Sequence, residues 1–310
     1  MTTIRAGRRS IELSKPDKVL FPRDGLTKLD LAEHYRVVAA AMVPFVRGRP
    51  VTMERHPDGV DGARLIQQAI PEYFPAWIHR VRVPKAGGTI EHVMADDAAT
   101  LVYLANQACI TPHVWLSHGP AFDRPDQLMF DLDPPDDDFA AARRAAIEVR
   151  RVLDELGLPS FVKTTGGDGL HVLVPLRPTA AFDDVRSFAR DVARVLEARH
   201  PDELTTASRK AARGGRLYLD IQRNAYGQTA VPPYAVRARP EATVAAPLDW
   251  SELDDRGLRP TRFTVLTIGD RLRHDPWTGF RRRARSLTSA RRVLGAMLEE
   301  AADPGRGARS

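Results

Sequence analysis

The chain lacks the features that mark secreted and membrane proteins. Cys109 is the one cysteine among 310 residues, which excludes an internal disulfide and favours a reducing compartment. The longest apolar run, Val37 to Val46, is about half as long as a membrane span. The segment from Met1 to Arg9 is charged and has no apolar stretch typical of a signal peptide. These absences predict a soluble, cytoplasmic protein.

Lysine is scarce although the chain is basic. Six of the 46 Lys and Arg residues are lysines, and the net charge is +6. A positive balance favours a polyanionic partner, although abundant arginine, alanine and proline are also typical of GC-rich genomes. Residues 281–292 contain six arginines and no acidic residue. This run predicts either a solvated helix face or a face that contacts phosphates.

Apolar spacing and turn residues predict an alternation of helices and strands. A helix is expected from Lys28 to Val46, with Thr27 as its N-cap. Further helices are expected at 98–109 (followed by a break at Pro112), 140–156, 181–198 and 281–301, and strands at 49–55, 128–132, 160–164, 170–175 and 216–222. This order favours an α+β core over a regular βαβ array. Residues 304–310 are expected to form a disordered tail.

The strand at 128–132 leads into two aspartates that are one residue apart. Alternate side chains of a strand point to the same face, so Asp131 and Asp133 are expected to project together while Leu132 turns into the core. Two neighbouring carboxylates favour a shared proton or a bound cation, and hard oxygen ligands suit Mg²⁺ or Mn²⁺. The pair alone leaves three enzyme classes open: nucleotidyl transferases, aspartate-nucleophile phosphatases and nucleotide-sugar glycosyltransferases.

A glycine-rich loop lies between the next two predicted strands. Gly166, Gly167 and Gly169 permit positive φ and a close approach of backbone N–H groups to an anion. Thr165 and His171 flank the loop and offer a hydroxyl and an imidazole N–H to a phosphate. A plain hairpin connection explains the loop sequence equally well. It is not a Walker loop, because no Gly-Lys-Ser/Thr follows.

A third carboxylate and two arginines extend the pattern. Asp220 ends another predicted strand, and three acidic ligands are what a two-metal nucleotidyl transfer site needs. Arg237 and Arg239 lie on one face of an extended segment, where guanidinium groups match triphosphate oxygens. A phosphatase is disfavoured because prolines follow the aspartate pair, and Lys210 is the only lysine downstream of Lys163 that could be the catalytic one. A non-catalytic nucleic-acid-binding protein leaves three strand-end carboxylates unexplained, since they repel phosphate unless cations neutralise them.

Taken together, these motifs resemble the polymerase domain of bacterial DNA ligase D, in the archaeo-eukaryotic primase superfamily. The resemblance runs from about Leu13 to Gly269 and rests on Asp131-Leu-Asp133-Pro, the glycine loop ending in Leu170-His171, Leu219-Asp220, Asn224-x-x-Gly227-Gln-Thr-Ala-Val and Arg237-Ala-Arg239-Pro. It implies an α+β fold: a primase-type catalytic core with an RNA-recognition-like antiparallel sheet flanked by helices, and an N-terminal α/β module. It also implies Mn²⁺-dependent addition of nucleotides to primer 3′ ends, with ribonucleotides preferred.

The same resemblance assigns roles to individual residues. Two divalent ions, Mn²⁺ or Mg²⁺, are assigned to Asp131, Asp133 and Asp220. The incoming nucleotide is assigned to His113, Thr165, His171, Arg237 and Arg239. The 5′-phosphate of a DNA gap is assigned to Lys18 and Lys28, and a further DNA contact to Arg55.

Three positions depart from the family pattern. Thr165 stands where the family usually has serine, which keeps the hydroxyl. Asp168 stands where lysine is usual, so one phosphate contact is lost and a charge is reversed. Leu65-Ile66 replaces paired phenylalanines that stack on template bases. Recognition of the template is therefore expected to differ more than the chemistry.

The resemblance also suggests an organisation and a pathway. We expect one primase-polymerase domain over residues 1–285, with an N-terminal module to about residue 110 and a catalytic core from about residue 111, followed by a basic helix and tail over 286–310. No ligase or nuclease module fits within the chain, so a stand-alone polymerase at the nucleoid is expected, with DNA, nucleotides, a separate DNA ligase and a Ku-type end-binding protein as partners. The expected function is gap filling or end processing in non-homologous end joining; priming or general gap repair is the alternative.

Overall fold

Two six-stranded sheets form the framework of the computed structural model, which describes residues 2–302. The elements of the first part are β1 (Thr2–Ala6), β2 (Arg9–Leu13), β3 (Val19–Phe21), β4 (Leu26–Thr27), α1 (Lys28–Val46), β5 (Pro50–Arg55), β6 (Leu65–Gln67), β7 (Arg80–Lys85), β8 (Gly88–Met94), α2 (Ala98–Asn106) and β9 (Cys109–Trp115). Those of the second part are β10 (Gln127–Asp133), α3 (Phe139–Glu155), β11 (Phe161–Thr164), β12 (Leu170–Pro175), α4 (Phe182–Arg199), β13 (Leu204–Thr205), α5 (Lys210–Arg213), β14 (Leu217–Asp220), β15 (Thr229–Ala230), β16 (Pro247–Leu248) and α6 (Thr288–Ala302). The tail predicted at 304–310 lies outside the described residues.

The sheet of the second part, which we call the core sheet, runs in the order β13-β14-β10-β12-β11-β16. Its strands pair antiparallel except for β13 with β14. Helices α3 and α4 cover one face, where Leu128, Phe130 and Leu132 are buried. On the opposite face Met129 belongs to a separate apolar cluster with side chains of the first part. Because side chains alternate along β10, that opposite face is also the one that carries the aspartates.

The sheet of the first part, the N-terminal sheet, runs in the order β15-β9-β5-β8-β7, and β6 pairs with β5. All of these pairs are antiparallel. Helices α1 and α2 pack against each other, and α2 also contacts β9 and the β1–β2 hairpin. Strand β15 comes from far along the chain and adds to the edge of this sheet beside β9. The chain therefore crosses back into its first part before it ends.

Helix α1 begins as the sequence predicts. The side chain of Thr27 accepts a hydrogen bond from the backbone N–H of Asp30, and the carboxylate of Asp30 accepts one from the N–H of Thr27. This reciprocal capping box satisfies two backbone donors that the first helical turn leaves without partners. The buried side of the helix includes Tyr35, whose hydroxyl donates to the carbonyl of Ile110 at 2.5 Å. The cap thus fixes the start of a helix that is anchored to β9.

The predicted helix at 98–109 is too long. Helix α2 ends at Asn106, and Ala108 has a φ of 56°, in the left-handed region that ends a helix. Cys109 then begins β9, which passes through Pro112 without the predicted break. Pro112 lies opposite Met53 in the register with β5. The prediction extended the helix too far because a short apolar run has similar spacing in a buried strand and in a helix.

The predicted helix at 281–301 is wrong in about its first two turns. Residues Phe280–Arg283 form a short 3₁₀ helix, and α6 begins only at Thr288. Between them the backbone of Arg285 donates to the carbonyl of Pro175 at 3.1 Å and accepts from the N–H of Arg177 at 3.0 Å. This extension of the core sheet holds the segment out of a helix. Most of the arginine run therefore lies on an irregular segment.

The remaining predicted helices and the core-sheet strands are confirmed to within about two residues at each end. The sequence did not predict the hairpins β1–β2 and β7–β8, since their apolar alternation is short. None of the helices within residues 2–302 combines the length and apolarity that a bilayer crossing requires.

Candidate active site

A row of polar side chains crosses the core sheet. Asp131 of β10 lies directly opposite His171 of β12 on one side and Asp220 of β14 on the other. His171 in turn lies opposite Lys163 of β11. Directly opposed residues of an antiparallel pair point to the same face, so the row projects from one side of the sheet. Asp133 follows on the same face at the end of β10.

The charges around Asp131 keep it ionised although it is only 6% exposed. His171 Nε2 lies 3.3 Å from its Oδ1, and Arg223 Nε lies 3.5 Å from its Oδ2. Burial raises its pKa, but the charges of His171, Arg223 and Lys163 outweigh burial and lower it to about 2. The neighbouring Asp133 behaves in the opposite way. Burial and the charge of Asp131 raise its pKa to about 6.

The donor set suits a hard divalent cation. The Oδ1 atom of Asp131 is buried and has no hydrogen-bond partner. Asp131, Asp133 and Asp220 project from the same face of adjacent strands, and carboxylate oxygens are the ligands that Mg²⁺ and Mn²⁺ prefer. Within residues 2–302, however, no three Asp, Glu, His or Cys side chains stand arranged for an ion. Arg223 neutralises Asp131, and Asp220 accepts a hydrogen bond from the N–H of Gln222 at 2.7 Å.

The glycine loop is a closed hairpin connection at the edge of this row. The hydroxyl of Thr165 accepts hydrogen bonds from the N–H groups of Gly167 at 3.0 Å and Gly169 at 3.3 Å. Two amides that could have pointed at an anion therefore point at Thr165. A Cβ atom at Gly169 would stand 2.2 Å from the carbonyl oxygen of Leu132 and 2.7 Å from Asp133 Oδ1. Glycine at 169 is thus required for the loop to approach the aspartate strand.

The two predicted phosphate-binding arginines line the same cleft, which has a volume of about 330 Å³. Arg237 donates to the carbonyl of Thr165 at 3.0 Å, so it also braces the glycine loop. Arg239 pairs with Asp168 at 2.6 Å. Asp168 therefore engages one of the two arginines.

The opposite wall of the cleft comes from the N-terminal sheet. The Nε2–H of His113 on β9 donates to Glu54 Oε2 at 2.7 Å, and Arg64 Nε lies 2.7 Å from Glu54 Oε1. Burial raises the pKa of Glu54, but the hydrogen bond and charge of His113 and the charge of Arg64 lower it to about 2. Burial likewise lowers the pKa of His113. One buried carboxylate thus holds two side chains that face the cleft.

The sequence prediction missed four residues of this site: Glu54, Arg64, Lys163 and Arg223. A charged residue at a buried strand position was a signal for Glu54 and Lys163, which are 6% and 1% exposed. Arg64 and Arg223 gave no such signal. Asn224 belonged to a matched motif without an assigned role, and it bonds to both backbone groups of Met129, at 2.9 and 2.7 Å. It therefore fixes β10 two residues before Asp131.

The residues assigned to DNA ends lie apart from this row. Lys18 pairs with Asp58 at 2.7 Å. Lys28 is buried and donates to the carbonyl of Ser14 at 2.6 Å, and burial and the charges of Lys18 and Lys15 lower its pKa. The three lysines therefore form one cluster, with Asp58 beside it.

Arg55 is engaged inside the protein. Its Nε donates to the carbonyl of Gln107 at 2.9 Å, and its Nη1 donates to the side chain of Gln67 at 2.7 Å. These bonds tie β5 to β6 and to the end of α2. The neighbouring Leu65 and Ile66 on β6 are 47% and 53% exposed, and Ile66 lines the cleft. They present an apolar surface beside the cleft.

This geometry can be compared with known proteins. The family model for the LigD primase-polymerase domain matches residues 27–277. The chain belongs to this family. It is 35% identical over 276 residues to the multifunctional non-homologous end joining DNA repair protein LigD of Mycobacterium tuberculosis, an alignment that covers 84% of this chain and 36% of that protein. It is 33% identical over 265 residues to the bifunctional LigD of Bacillus subtilis, covering 85% of this chain and 42% of that protein.

A solved relative shares the fold. The polymerase domain of Mycobacterium tuberculosis ligase D, determined in complex with DNA, superposes with a TM-score of 0.82 at 31% sequence identity, over 88% of this chain and 99% of the other. The expected α+β fold, with antiparallel sheets flanked by helices, is thereby confirmed. The comparisons also confirm that the chain belongs to a family of nucleotidyl-transferring primase-polymerases, a family that uses divalent metal ions. The chain spans between about a third and two fifths of the length of these curated relatives.

Proposed function

We propose that this protein extends the 3′ ends of DNA primers with nucleotides, and that it fills gaps or processes broken ends in non-homologous end joining. The observation that carries the proposal is the register of β10. It places His171 and Asp220 on either side of Asp131, with two arginines and His113 across the same cleft. Carboxylates for cations and guanidinium groups for a triphosphate are the two requirements of template-directed nucleotide addition.

The aspartates supply the cation sites. Asp131, Asp133 and Asp220 would hold two divalent ions, which would supply activation of the primer hydroxyl and neutralisation of the leaving pyrophosphate. Arg223 lies 3.5 Å from Asp131 and is 45% exposed, so it has room to turn toward solvent and leave the carboxylate of Asp131 available. An imidazole beside the carboxylates favours Mn²⁺ over Mg²⁺.

The nucleotide lies between the two walls. Arg237 and Arg239 bind the triphosphate, and both line the cleft beside the glycine loop. His171 and Thr165 shape the same end of the cleft, where the hydroxyl of Thr165 sets the loop conformation. His113, held by Glu54, faces the nucleotide from the N-terminal sheet. Ribonucleotides are the preferred substrates.

The DNA enters along the N-terminal sheet. Leu65 and Ile66 offer exposed apolar surface to template bases, in place of an aromatic stack. The cluster of Lys15, Lys18 and Lys28 provides the positive charge for a 5′-phosphate across a gap, and Asp58 has to release Lys18 when the phosphate binds. Arg55 supports this region through its bonds to β6 and α2. A Ku-type protein and a DNA ligase supply the remaining steps of end joining. Residues 1–285 act as one catalytic domain.

Single-nucleotide extension tests the proposal. The substrate is a one-nucleotide gap in duplex DNA with a 5′-phosphate or a 5′-hydroxyl at its far side, offered with NTP or dNTP and with Mn²⁺ or Mg²⁺. We expect extension that is fastest with Mn²⁺ and NTP and that binds the phosphorylated gap about ten-fold more tightly, as one charge-assisted contact provides. Absence of any extension refutes the polymerase. If the protein extends primers but binds both gaps with equal affinity, the result favours the alternative function, priming or general gap repair.

A further inference from the structure

A group of arginines without acidic partners lies at the end of α1 and on the segment before α6. We call it the rear arginine surface, and it consists of Arg47, Arg281, Arg282 and Arg283. All four are exposed, and none has a carboxylate within 4 Å among residues 2–302. Arg291 of α6, by contrast, lies 3.9 Å from Asp184. The nearby Asp126 already pairs with the buried Arg49 at 2.6 Å.

A rigid aromatic base holds this surface in place. Trp277 and Phe280 are 2% and 4% exposed and stack with their ring centroids 5.2 Å apart. Trp277 donates from its indole nitrogen to the carbonyl of Val162 at 3.0 Å, and Phe280 packs on Phe161 at 4.8 Å. Because these rings point inward, the arginines that follow Phe280 point to solvent. Their backbone therefore adopts a fixed arrangement before any ligand binds.

Arg281 and Arg282 line one groove with Pro44 and Phe45 near the end of α1. Arg283 lies over the ring of Phe161, 5.8 Å from its centroid. Partial burial, together with the charges of Arg49 and Arg47, lowers the pKa of Arg281 against the opposing charge of Asp126. Arg47 follows the last turn of α1. The surface thus joins the end of α1 to the segment before α6.

The core-sheet register gives the separation of this surface from the cleft. Phe161 precedes Lys163 by two residues on β11, and Lys163 belongs to the row of Asp131 and His171. Two residues of a strand span about 6.6 Å. The rear arginine surface lies beyond Phe161, on the side away from the glycine loop. The apolar cluster of Phe45, Met129, Leu173 and Trp277 fills the space between them.

We propose that the rear arginine surface binds the phosphate backbone of duplex DNA at a second place, separate from the catalytic cleft. Duplex DNA carries one negative charge for about every 1.7 Å of its axis, and arginines without acidic partners release its counterions when they bind. A protein partner would need exposed aromatic or aliphatic anchors at its centre. Here the aromatic rings are buried, and guanidinium groups form the exposed part. Phosphate is the chemistry that this surface matches.

Binding without catalysis tests this proposal. A labelled blunt duplex of about 30 base pairs is titrated by fluorescence anisotropy, with no nucleotide and no divalent ion, between about 50 and 200 mM salt. In the triple variant Arg281→Gln/Arg282→Gln/Arg283→Gln, we expect the slope of log K against log salt to fall by up to about 2.7, since each phosphate contact contributes about 0.9. The triple lysine variant keeps the charge and should keep most of the slope.

A matched control separates this surface from a general loss of charge. Arg36, Arg151 and Arg194 each pair with an acid three residues away on their own helix. The triple glutamine variant at these positions loses the same charge and should keep the native slope. An unchanged slope in the first variant, or an equal drop in the control, overturns the proposal. Because the assay requires no extension, it can succeed or fail independently of the polymerase activity.

Discussion

The two walls of the cleft are built in different ways. On the core-sheet wall, backbone register places the functional groups: Asp131, His171 and Asp220 are direct cross-strand neighbours. On the N-terminal wall, a buried side chain does so, since Glu54 holds both His113 and Arg64. On a wall where strand register places the functional groups, a shift of one strand moves all of them, so few changes preserve activity. On a wall where one carboxylate holds the functional groups, a single substitution can change substrate binding. Leu65 and Ile66, which the resemblance to the family marks as departures, lie on that wall.

The largest expected effect is on the core-sheet wall. Asp131→Asn keeps the shape of the side chain and removes a charge that no neighbour replaces, so extension should fall by a factor on the order of 10³ or more. The measurement is single-nucleotide addition with Mn²⁺. Asp136→Asn, at an exposed position with positive φ that asparagine tolerates, is the matched control. Substantial extension by the Asp131 variant would show that the core-sheet wall is not more sensitive to substitution than the N-terminal wall.

Gly169→Ala tests whether the backbone of the glycine loop sets the position of the core-sheet wall. The added methyl group would meet the carbonyl of Leu132 at 2.2 Å, so the glycine loop or β10 has to shift. A displacement of this kind moves the aspartates, and we expect a roughly ten- to hundredfold loss of extension. Gly269→Ala, where nothing lies within 4 Å of the new atom, should leave extension unchanged. Equal activity of the two variants would show that the loop does not set the position of β10.

Glu54→Gln tests the N-terminal wall. Without the carboxylate charge, His113 and Arg64 lose their anchor, so KM for the nucleotide should rise about ten-fold while kcat changes by less than about three-fold. Glu33→Gln, an exposed exchange on α1, is the control. A fall in kcat without a change in KM would place Glu54 in the chemistry instead.

The same variant carries a pH signature. The pKa of Glu54 is lowered from an ordinary 4.5 to about 2. A lowered carboxyl pKa stabilises the fold above the unfolded pKa and loses that contribution as pH falls through the folded one. The difference in unfolding free energy between the native protein and Glu54→Gln should therefore shrink between about pH 4.5 and pH 2. Urea unfolding at several pH values measures it, and a constant difference would contradict the charge network.

The smallest expected effect concerns the link between Asp168 and Arg239. Their pair at 2.6 Å is largely exposed, with side chains 54% and 36% exposed, so solvent screens it and its contribution is small. Asp168→Lys frees Arg239 and restores the cation usual in the family. We expect KM for the nucleotide to fall a few-fold, more at low salt than at high salt. Asp123→Lys, an equal charge change outside the cleft, should leave KM unchanged, and an equal fall in both variants would indicate a general charge effect.

The sequence predicted the local parts of the core-sheet wall well. Alternation placed Asp131 and Asp133 on one face, and Thr27 and the strands flanking the glycine loop stand where expected. The contacts of Glu54 were beyond reach because they depend on strand pairing between distant parts of the chain. The helix predicted from residue 281 failed for a similar reason, since burial of Trp277 and Phe280 overrides local helix propensity.

The segment that runs from β15 to Arg237 ties the second part of the chain to α1 and β9 in the first part. Its backbone carbonyls bond to His34 at Tyr234 and to Thr111 at Val236, so α1 and β9 position the arginine that follows. Consider a chimera that joins the N-terminal sheet of one relative to the core sheet of another. Such a chimera would misplace Arg237 unless the segment from β15 to Arg237, here called the crossing strip, came from the same relative as the N-terminal sheet. A domain boundary drawn near residue 110 would separate this strip from α1, whose His34 bonds to it.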